Sequence, residues 1–303
     1  MDKALEYYEE SLAIKRKLLP KSGHFTIAKI LNNIGLAHSS MGRHAAALAC
    51  YTESLQIKRS TLPDESHTSI ADSLYNIGST HFSLGEYAQA LRVYEQSLAI
   101  YRQLLPGDHP NMAELLNKIG LVCSHLGEYE RALRAHQSSL KIKLLILPMH
   151  HLSIAESLNC IGVVYGDLGD RARALQYFHE SLGIYRRSLP EHHPECVEIL
   201  TNIGLVYLNA EENERGLEYF ERSLRIKRDT LPHDHLSVAN VLGNMAMAYS
   251  NLGLTESALG HFEQSLKIKQ AVLEPDNPSL LFTVECIDSL KKQISSNSKQ
   301  VTP

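Results

Sequence analysis

The sequence has no tryptophan, only six phenylalanines in 303 residues, and five cysteines of which none forms a C-x-x-C pair. Cys50, Cys123, Cys160, Cys196 and Cys286 are odd in number and scattered. That argues against a disulfide framework or a zinc module and for a reducing, cytoplasmic setting. No apolar run approaches the ~20 residues that span a bilayer. The N-terminus, MDKALEYYEE, is charged where a secretory signal has its apolar core. Charge of one sign is also lacking. Thirty Lys and Arg stand against 34 Asp and Glu, a formal charge of −4, whereas a nucleic-acid binder shows a basic excess or stripe. There is no P-loop, no G-x-G-x-x-G after a strand, no G-x-S-x-G and no H-E-x-x-H. These absences point away from an enzyme, a cofactor and a metal. Apolar residues make up 44%, enough to fold the bulk of the chain.

What is there is a period. Leu-Pro recurs at Pro20, Pro63, Pro106, Pro148, Pro190 and Pro232, spaced 43, 43, 42, 42 and 42 residues, with a degenerate Glu274-Pro275 next. A second marker runs in step: Ile34-Gly35, Ile77-Gly78, Ile119-Gly120, Ile161-Gly162, Ile203-Gly204 and Met245-Ala246. Each unit reads as two helices. In the third, helix A follows the loop 106–110 and carries Met112, Leu115, Leu116, Ile119, Val122 and Cys123 at helical spacing. It stops at Gly127, where a left-handed cap needs no Cβ. Helix B carries Ala132, Leu133, Leu140 and Ile142, and Pro148 closes it.

Small residues form columns. Gly35, Gly78, Gly120, Gly162, Gly204 and Ala246 share one position in helix A. In helix B, Ala47, Ala90, Ala132, Ala174, Gly216 and Ala258 share another, and Ser54, Ser97, Ser139, Ser181, Ser223 and Ser265 a third. A glycine inside a helix costs about 1 kcal/mol relative to alanine. Five at one position therefore imply close approach of helix A to helix B. Large residues fill the intervening helix B position: Tyr51, Tyr94, Phe178, Phe220 and Phe262, with His136 as the exception.

The order Leu-x-Asn-Ile-Gly, an aromatic three residues later, a turn Gly, then Ala, an aromatic and a small residue resembles the tetratricopeptide repeat. The period of about 42 residues, His109-Pro110 and His193-Pro194 in the loops, and Leu31-Asn32-Asn33 resemble its kinesin light chain and nephrocystin-like branch. The resemblance covers residues 1 to about 291. It implies an all-α fold, a right-handed superhelical solenoid of antiparallel helix hairpins. Within it, residues 1–20 are expected to be an unpaired helix B of a truncated first repeat. Residues 21–276 make six tandem A–B repeats, 277–292 a C-terminal capping helix and 293–303 a disordered tail. A chain that starts at helix B reads as a fragment, or as a product that lost its first half-repeat. No heptad region precedes the repeats, so the resemblance does not carry over binding to a motor heavy chain.

Three polar columns compete for a functional role. His24, His67, His109, His151, His193 and His235 lie one per loop ahead of helix A. Metal ligands converge to about 2 Å on one ion, while neighbouring hairpins pack ~8–10 Å apart, so these histidines are expected to fix the start of each helix. Asp72, Glu114, Glu156 and Glu198 sit in the first turn of helix A. They either favour the helix dipole or line a wall that attracts a basic segment. Lys15-Arg16, Lys58-Arg59, Arg102, Lys143, Arg186-Arg187, Lys227-Arg228 and Lys269 mark the end of helix B, where cations either complement the dipole or form a surface for an anionic partner.

In the resembled family helix A lines the inner surface, and groove asparagines of the light chains hold cargo peptides. Asn32, Asn117 and Asn159 match that position, with Tyr75, Thr201 and Gly243 in the other repeats. One turn on stand Leu36, Ser79, Leu121, Val163, Leu205 and Met247, followed by Ser39, Phe82, Ser124, Gly166, Leu208 and Ser250. Asn amides donate and accept, so a row of them can hold an extended backbone. The expected groove is therefore Asn32, Leu36, Asp72, Tyr75, Ser79, Phe82, Glu114, Asn117, Leu121, Glu156, Asn159, Val163, Glu198, Thr201 and Leu205. The adjacent Asn33, Asn76, Asn202 and Asn244 are expected to bond within their own hairpins. The leading reading is a non-catalytic, cytoplasmic adaptor for proteins or linear peptides, with no nucleic-acid or membrane partner. The alternatives are a scaffold that self-associates through its N-terminal helix, a regulatory repeat segment of a larger enzyme or signalling protein, and a kinesin light chain-like cargo adaptor.

Overall fold

The structure, a computed structural model, describes residues 2–19, 25–62, 64, 67–190, 192–232 and 234–300, with residues 2 and 297–300 by backbone only. Pro20, His24, Pro63 and residues 301–303 of the columns and tail lie outside them. The described residues form helices and their connections, with no strand.

The chain divides into two compact units, residues 1–149 and 150–303. The first holds α1 (Asp2–Leu18), α2 (Phe25–Ser40), α3 (His44–Thr61), α4 (Thr68–Ser83), α5 (Tyr87–Leu104), α6 (Pro110–His125) and α7 (Tyr129–Ile146). The second holds α8 (Leu152–Asp167), α9 (Arg171–Ser188), α10 (Pro194–Asn209), α11 (Asn213–Thr230), α12 (Leu236–Asn251), α13 (Thr255–Val272) and α14 (Pro278–Gln300). Even-numbered helices are the A helices and odd-numbered ones the B helices. Each A helix packs on the B helix that follows it, and within a unit each B helix packs on the next A helix.

The small-residue columns explain the hairpin. A Cβ at Gly35 would stand 2.6 Å from the Tyr51 ring, and one at Gly78 2.6 Å from Tyr94. At Gly162 and Gly204 the rings of Phe178 and Phe220 lie 2.8 and 2.6 Å from the same point. Each missing side chain makes room for a ring from the partner helix. The glycine costs about 1 kcal/mol of helix propensity, and the buried ring returns ~1.5–3 kcal/mol, so the exchange is favourable. The helix B alanines are fully buried.

The serine column is a clamp. Ser54, Ser97, Ser139, Ser181 and Ser265 donate to the carbonyls of Ala28, Ala71, Ala113, Ala155 and Ala239 at 2.6–2.8 Å, each 26 residues upstream. The bond joins the middle of helix B to the first turns of helix A. Only a short side chain with a hydroxyl satisfies both the spacing and the buried polar atom.

Two local features set the helix ends. The turn glycines Gly42, Gly85, Gly127, Gly169 and Gly253 all have φ of 72–75°, and Glu211 takes the same role at φ 61°. The last helix departs from the expected boundary. It continues past Lys292 to Gln300, so the residues 293–303 read as a tail are helical as far as they are described. No Gly or Pro interrupts 293–300, and polarity alone does not stop a helix.

Candidate functional site

The histidine column caps helices. Nδ1 of His67, His109, His151, His193 and His235 accepts the backbone N–H two residues on, at 3.1–3.3 Å. Asn277 does the same for Ser279 at 3.0 Å. Each imidazole stands in for the Ser or Asp of an ordinary N-cap and satisfies one of the orphan amides at the helix start.

The asparagine row is held more tightly than a free groove would be. In the first unit Asn76 Nδ2 donates to Asn32 Oδ1 at 3.1 Å, and in the second Asn202 Nδ2 donates to Asn159 Oδ1 at 3.2 Å. Asn76 and Asn202 thus bridge neighbouring A helices, which corrects the expectation that they bond inside one hairpin. The offset of one residue aims them at the previous A helix. Asn117 is buried, with its Oδ1 2.7 Å from Nδ1 of His136. Thr201 is buried too, donating to Val197 O at 3.0 Å and meeting Ser223 Oγ at 2.8 Å. Leu208 belongs to the core around Phe220 rather than to the groove.

Other expected residues do face outward. Leu36 is 49% exposed, and Leu121, Val163 and Leu205 are half-buried. Asp72, Glu114, Glu156 and Glu198 are exposed. Asp72 accepts the hydroxyl of Tyr101 and Glu114 that of Tyr75, so part of the acidic column is committed to tyrosines. Ser79 pairs with Tyr94 OH at 3.0 Å, and Phe82 packs edge-on against Tyr87 and His125.

One space that could take a ligand lies in the second unit. A hollow of about 410 Å³ is walled by Thr201 and Leu205 of α10, Gly243 and Met247 of α12, and Phe282 of α14, with Glu198 at its rim. Three residues of the expected groove, Glu198, Thr201 and Leu205, come together there. A second hollow of about 450 Å³ adjoins it through Met247, Phe262 and Phe282. Phe282 and Met247 are 50% and 39% exposed. Gly243 is where the row loses its asparagine. A Cβ there would meet only Ser265 Oγ, at 3.7 Å, so the opening comes from sequence, not from crowding.

The floor of the first hollow was not legible as such. Lys58, Lys143, Lys227 and Lys269 are buried, whereas Arg59, Arg102, Arg186 and Arg228 point outward. The basic column is thus two columns, and dipole complementation describes only the exposed one. Nζ of Lys58 donates to Ser69 O at 2.9 Å and Ser73 Oγ at 2.7 Å. Nζ of Lys269 donates to Ser279 O at 3.1 Å and Thr283 Oγ1 at 2.8 Å. Tyr101 and Tyr185 occupy the same column. The signal was the alternation of Lys with Tyr at one position, since a surface column seldom trades a cation for a ring.

Antiparallel helix pairs repeated at 42-residue spacing, clamped by Gly, Ala and Ser columns, define a helical-hairpin repeat protein. The tetratricopeptide repeat family matches residues 1–60, 69–144, 153–229 and 196–271, and the chain belongs to it. The family is a protein-interaction module. None of the curated proteins matches the sequence. Among solved structures, a tetratricopeptide repeat protein from Parabacteroides merdae is 18% identical, covers 96% of this chain and 94% of its own, and superposes with a TM-score of 0.66. BtubC (BKLC) from P. vanneervenii is 17% identical over 78% of this chain and 94% of its own, at 0.60. Kinesin light chain repeats from Podosopora anserina are 20% identical over 69% and 99%, at 0.56. These neighbours share the fold, and they include the kinesin light chain-like type that the 42-residue repeat resembles. No helix among the described residues is long and apolar enough to cross a membrane.

Proposed function

We propose that this protein is a non-catalytic, cytoplasmic adaptor whose A-helix faces hold a short extended peptide, with the firmest grip in the hollow of the second unit. The observation that carries this reading is the hollow itself. Leu205, Met247 and Phe282 offer apolar walls beside the side-chain amides of Asn202, Asn240 and Asn244, a combination that suits a peptide with one or two apolar anchors. The NH2 groups of Asn32 and Asn159 have no protein acceptor among the described residues and remain as donors for a passing backbone. Each anchor contributes ~1.5–3 kcal/mol if fully buried and each backbone hydrogen bond about 1 kcal/mol. Ordering the peptide cancels much of that, which leaves micromolar affinity. The test is a peptide-display selection on the intact chain, repeated on Met247→Glu with Phe282→Glu. Both side chains are exposed, so the variant keeps its fold. A motif that enriches on the wild type and is lost on the folded variant supports the groove. Equal enrichment on both, or a sub-nanomolar linear motif, overturns it.

A second reading, self-association through α1, is favoured by Tyr7, Ile14 and Leu18, which are 72%, 49% and 74% exposed on that helix. Light scattering decides it. A mass above one chain that falls when these three are replaced by Ser supports it, and a monomer at all concentrations rules it out.

A further inference from the structure

We propose that the outward face of α7, in the first unit, docks an acidic amphipathic helix of a partner protein. The site lies on a B helix, apart from the A-helix faces, and stands or falls independently of the peptide reading above.

The starting point is an interruption in the exposed basic column. Five residues after the column serine stand Arg59, Arg102, Arg186 and Arg228, and the next position holds Ser60, Gln103, Arg187 and Asp229. In α7 the same two positions are Leu144 and Leu145, and Met149 follows in the turn behind them. None is drawn into the core. They are 53%, 69% and 74% exposed. The hairpin does not need leucine there, since the other repeats close with polar residues at the same places. Three large apolar side chains within six residues make a contiguous patch rather than scattered singles, and such a patch marks an interaction surface.

The same helix supplies a charge of one sign. Between Glu130 and Glu156 the chain has no carboxylate. Of the cations in that stretch, Lys143 is buried and Arg131 is engaged by Glu95 and Glu128. Arg134 and Lys141 are exposed and form no ion pair among the described residues. Arg134, Ser138, Lys141 and Leu145 stand at i, i+4, i+7 and i+11, one stripe along the helix, with Leu144 beside it. The stripe is basic over its first two turns and apolar at its end. At 1.5 Å per residue, about 16 Å separates Arg134 from Leu145.

That layout selects the occupant. Its complement is a helix of about three turns laid along α7, with carboxylates at one end and apolar side chains at the other. The cations attract and orient it, and Leu144, Leu145 and Met149 hold it by burial. A lipid surface would call for cations and apolar groups at one depth, flanking each other. Here they are displaced along the helix axis, which favours a protein helix.

The test uses the full-length chain and a displayed library of random peptides of about 12 residues, long enough for three helical turns. It is run on the wild type, on Leu144→Arg with Leu145→Arg, and on Arg134→Gln with Lys141→Gln. The leucine variant copies Arg186-Arg187 of α9, so it keeps the fold and becomes more attractive to an acid. The cation variant keeps the apolar patch. Peptides lost on Met247→Glu with Phe282→Glu belong to the hollow of the second unit and are set aside. Among the rest, peptides carrying both acidic and apolar residues should enrich on the wild type and gain helical circular dichroism on binding. A synthesised hit should bind the leucine variant more weakly by on the order of tenfold, despite the added positive charge. It should bind the cation variant more weakly too, with a flatter dependence on salt. If nothing enriches outside the hollow, or if every hit binds both variants as well as the wild type, the proposal is overturned. Vesicles of phosphatidylserine and phosphatidylcholine should not retain the chain. Retention that the leucine variant abolishes would make the patch a membrane contact. A light-scattering mass above one chain that the same variant returns to one chain would make it a contact between copies. Either result overturns the partner helix.

Discussion

The ring of Phe178 fills the space that a side chain at Gly162 would need, with a β-carbon there standing 2.8 Å from Cδ1 and Cε1. The same relation joins Gly35 to Tyr51, Gly78 to Tyr94, Gly120 to His136 and Gly204 to Phe220. One contact, repeated down the chain, sets the spacing of every hairpin but the sixth. There Ala246 and Ala258, both fully buried, line the seam beside Phe262.

That relation makes Gly162→Ala destabilising. Overpacking of this kind costs ~1–3 kcal/mol, against about 1 kcal/mol recovered in helix propensity. Gly243→Ala should go the other way by ~0.5–1 kcal/mol, because its nearest neighbour, Ser265 Oγ, is 3.7 Å away and only the propensity gain remains. Urea midpoints of the two variants should bracket the wild type. If Gly162→Ala is also stabilising, the Phe178 ring moves aside freely and the column is not held by contact.

Glu211→Gly should stabilise the second unit. Glu211 is the one non-glycine among the described residues with positive φ, at 61°, in a turn position that Gly42, Gly85, Gly127, Gly169 and Gly253 fill elsewhere. The left-handed conformation costs a side-chain-bearing residue ~1–2 kcal/mol. The extra entropy glycine gives the unfolded chain returns part of that, ~0.4–1 kcal/mol. A rise in thermal midpoint is expected, and a fall would mean that the Glu211 side chain makes a contact worth more than the strain.

The hairpins were legible because every repeat solves the same packing problem, so the solution recurs as a column. Gly162, Ala174 and Ser181 announce their contacts by repetition. The candidate site was less legible for the same reason. The asparagines at 117 and 159 look alike in sequence, yet one is pinned inside by His136 and the other is bridged by Asn202. What opens the hollow is a break in a column, Gly243 for Asn, together with Phe282 on α14. Repetition reports packing; a ligand is more readily placed by its interruptions.

The Lys58 and Ser73 pair should behave as a unit. Ser73→Ala removes one of two acceptors from a buried ammonium whose pKa burial already pushes down, and should cost ~1–3 kcal/mol. Lys58→Met, which keeps the volume and drops the charge, should cost less once Ser73 is alanine than when it is serine. A double-mutant cycle by urea denaturation measures the coupling. Additive effects would show that the 2.7 Å bond contributes nothing to stability.

His136 should give the fold a distinct acid limb. Its ring is fully buried where the other repeats place Tyr or Phe. Asn117 Oδ1 can only accept, so Nδ1 carries the proton, and Nε2 has no partner. Charging the ring would bury an N–H with no acceptor close to Lys143. Burial first and then the Lys143 ammonium push the pKa down from 6.5 to about 4. As pH falls, the unfolded chain therefore takes up this proton before the folded one does. Stability from this group is complete above about pH 6.5 and declines between there and about pH 4. Below that both states are charged and the loss stops. The slope is ~1.4 kcal/mol per pH unit, so on the order of 3 kcal/mol is lost in all. His136→Phe copies Phe178 and Phe220 and should remove one proton's worth of slope in this window, although the bond to Asn117 Oδ1 is lost and the plateau at neutral pH drops. Denaturant titrations of the two proteins at pH 7, 5.5 and 4 read the difference directly. Parallel curves would mean that His136 is charged in the fold or reached by water, and the buried neutral ring would have to be abandoned.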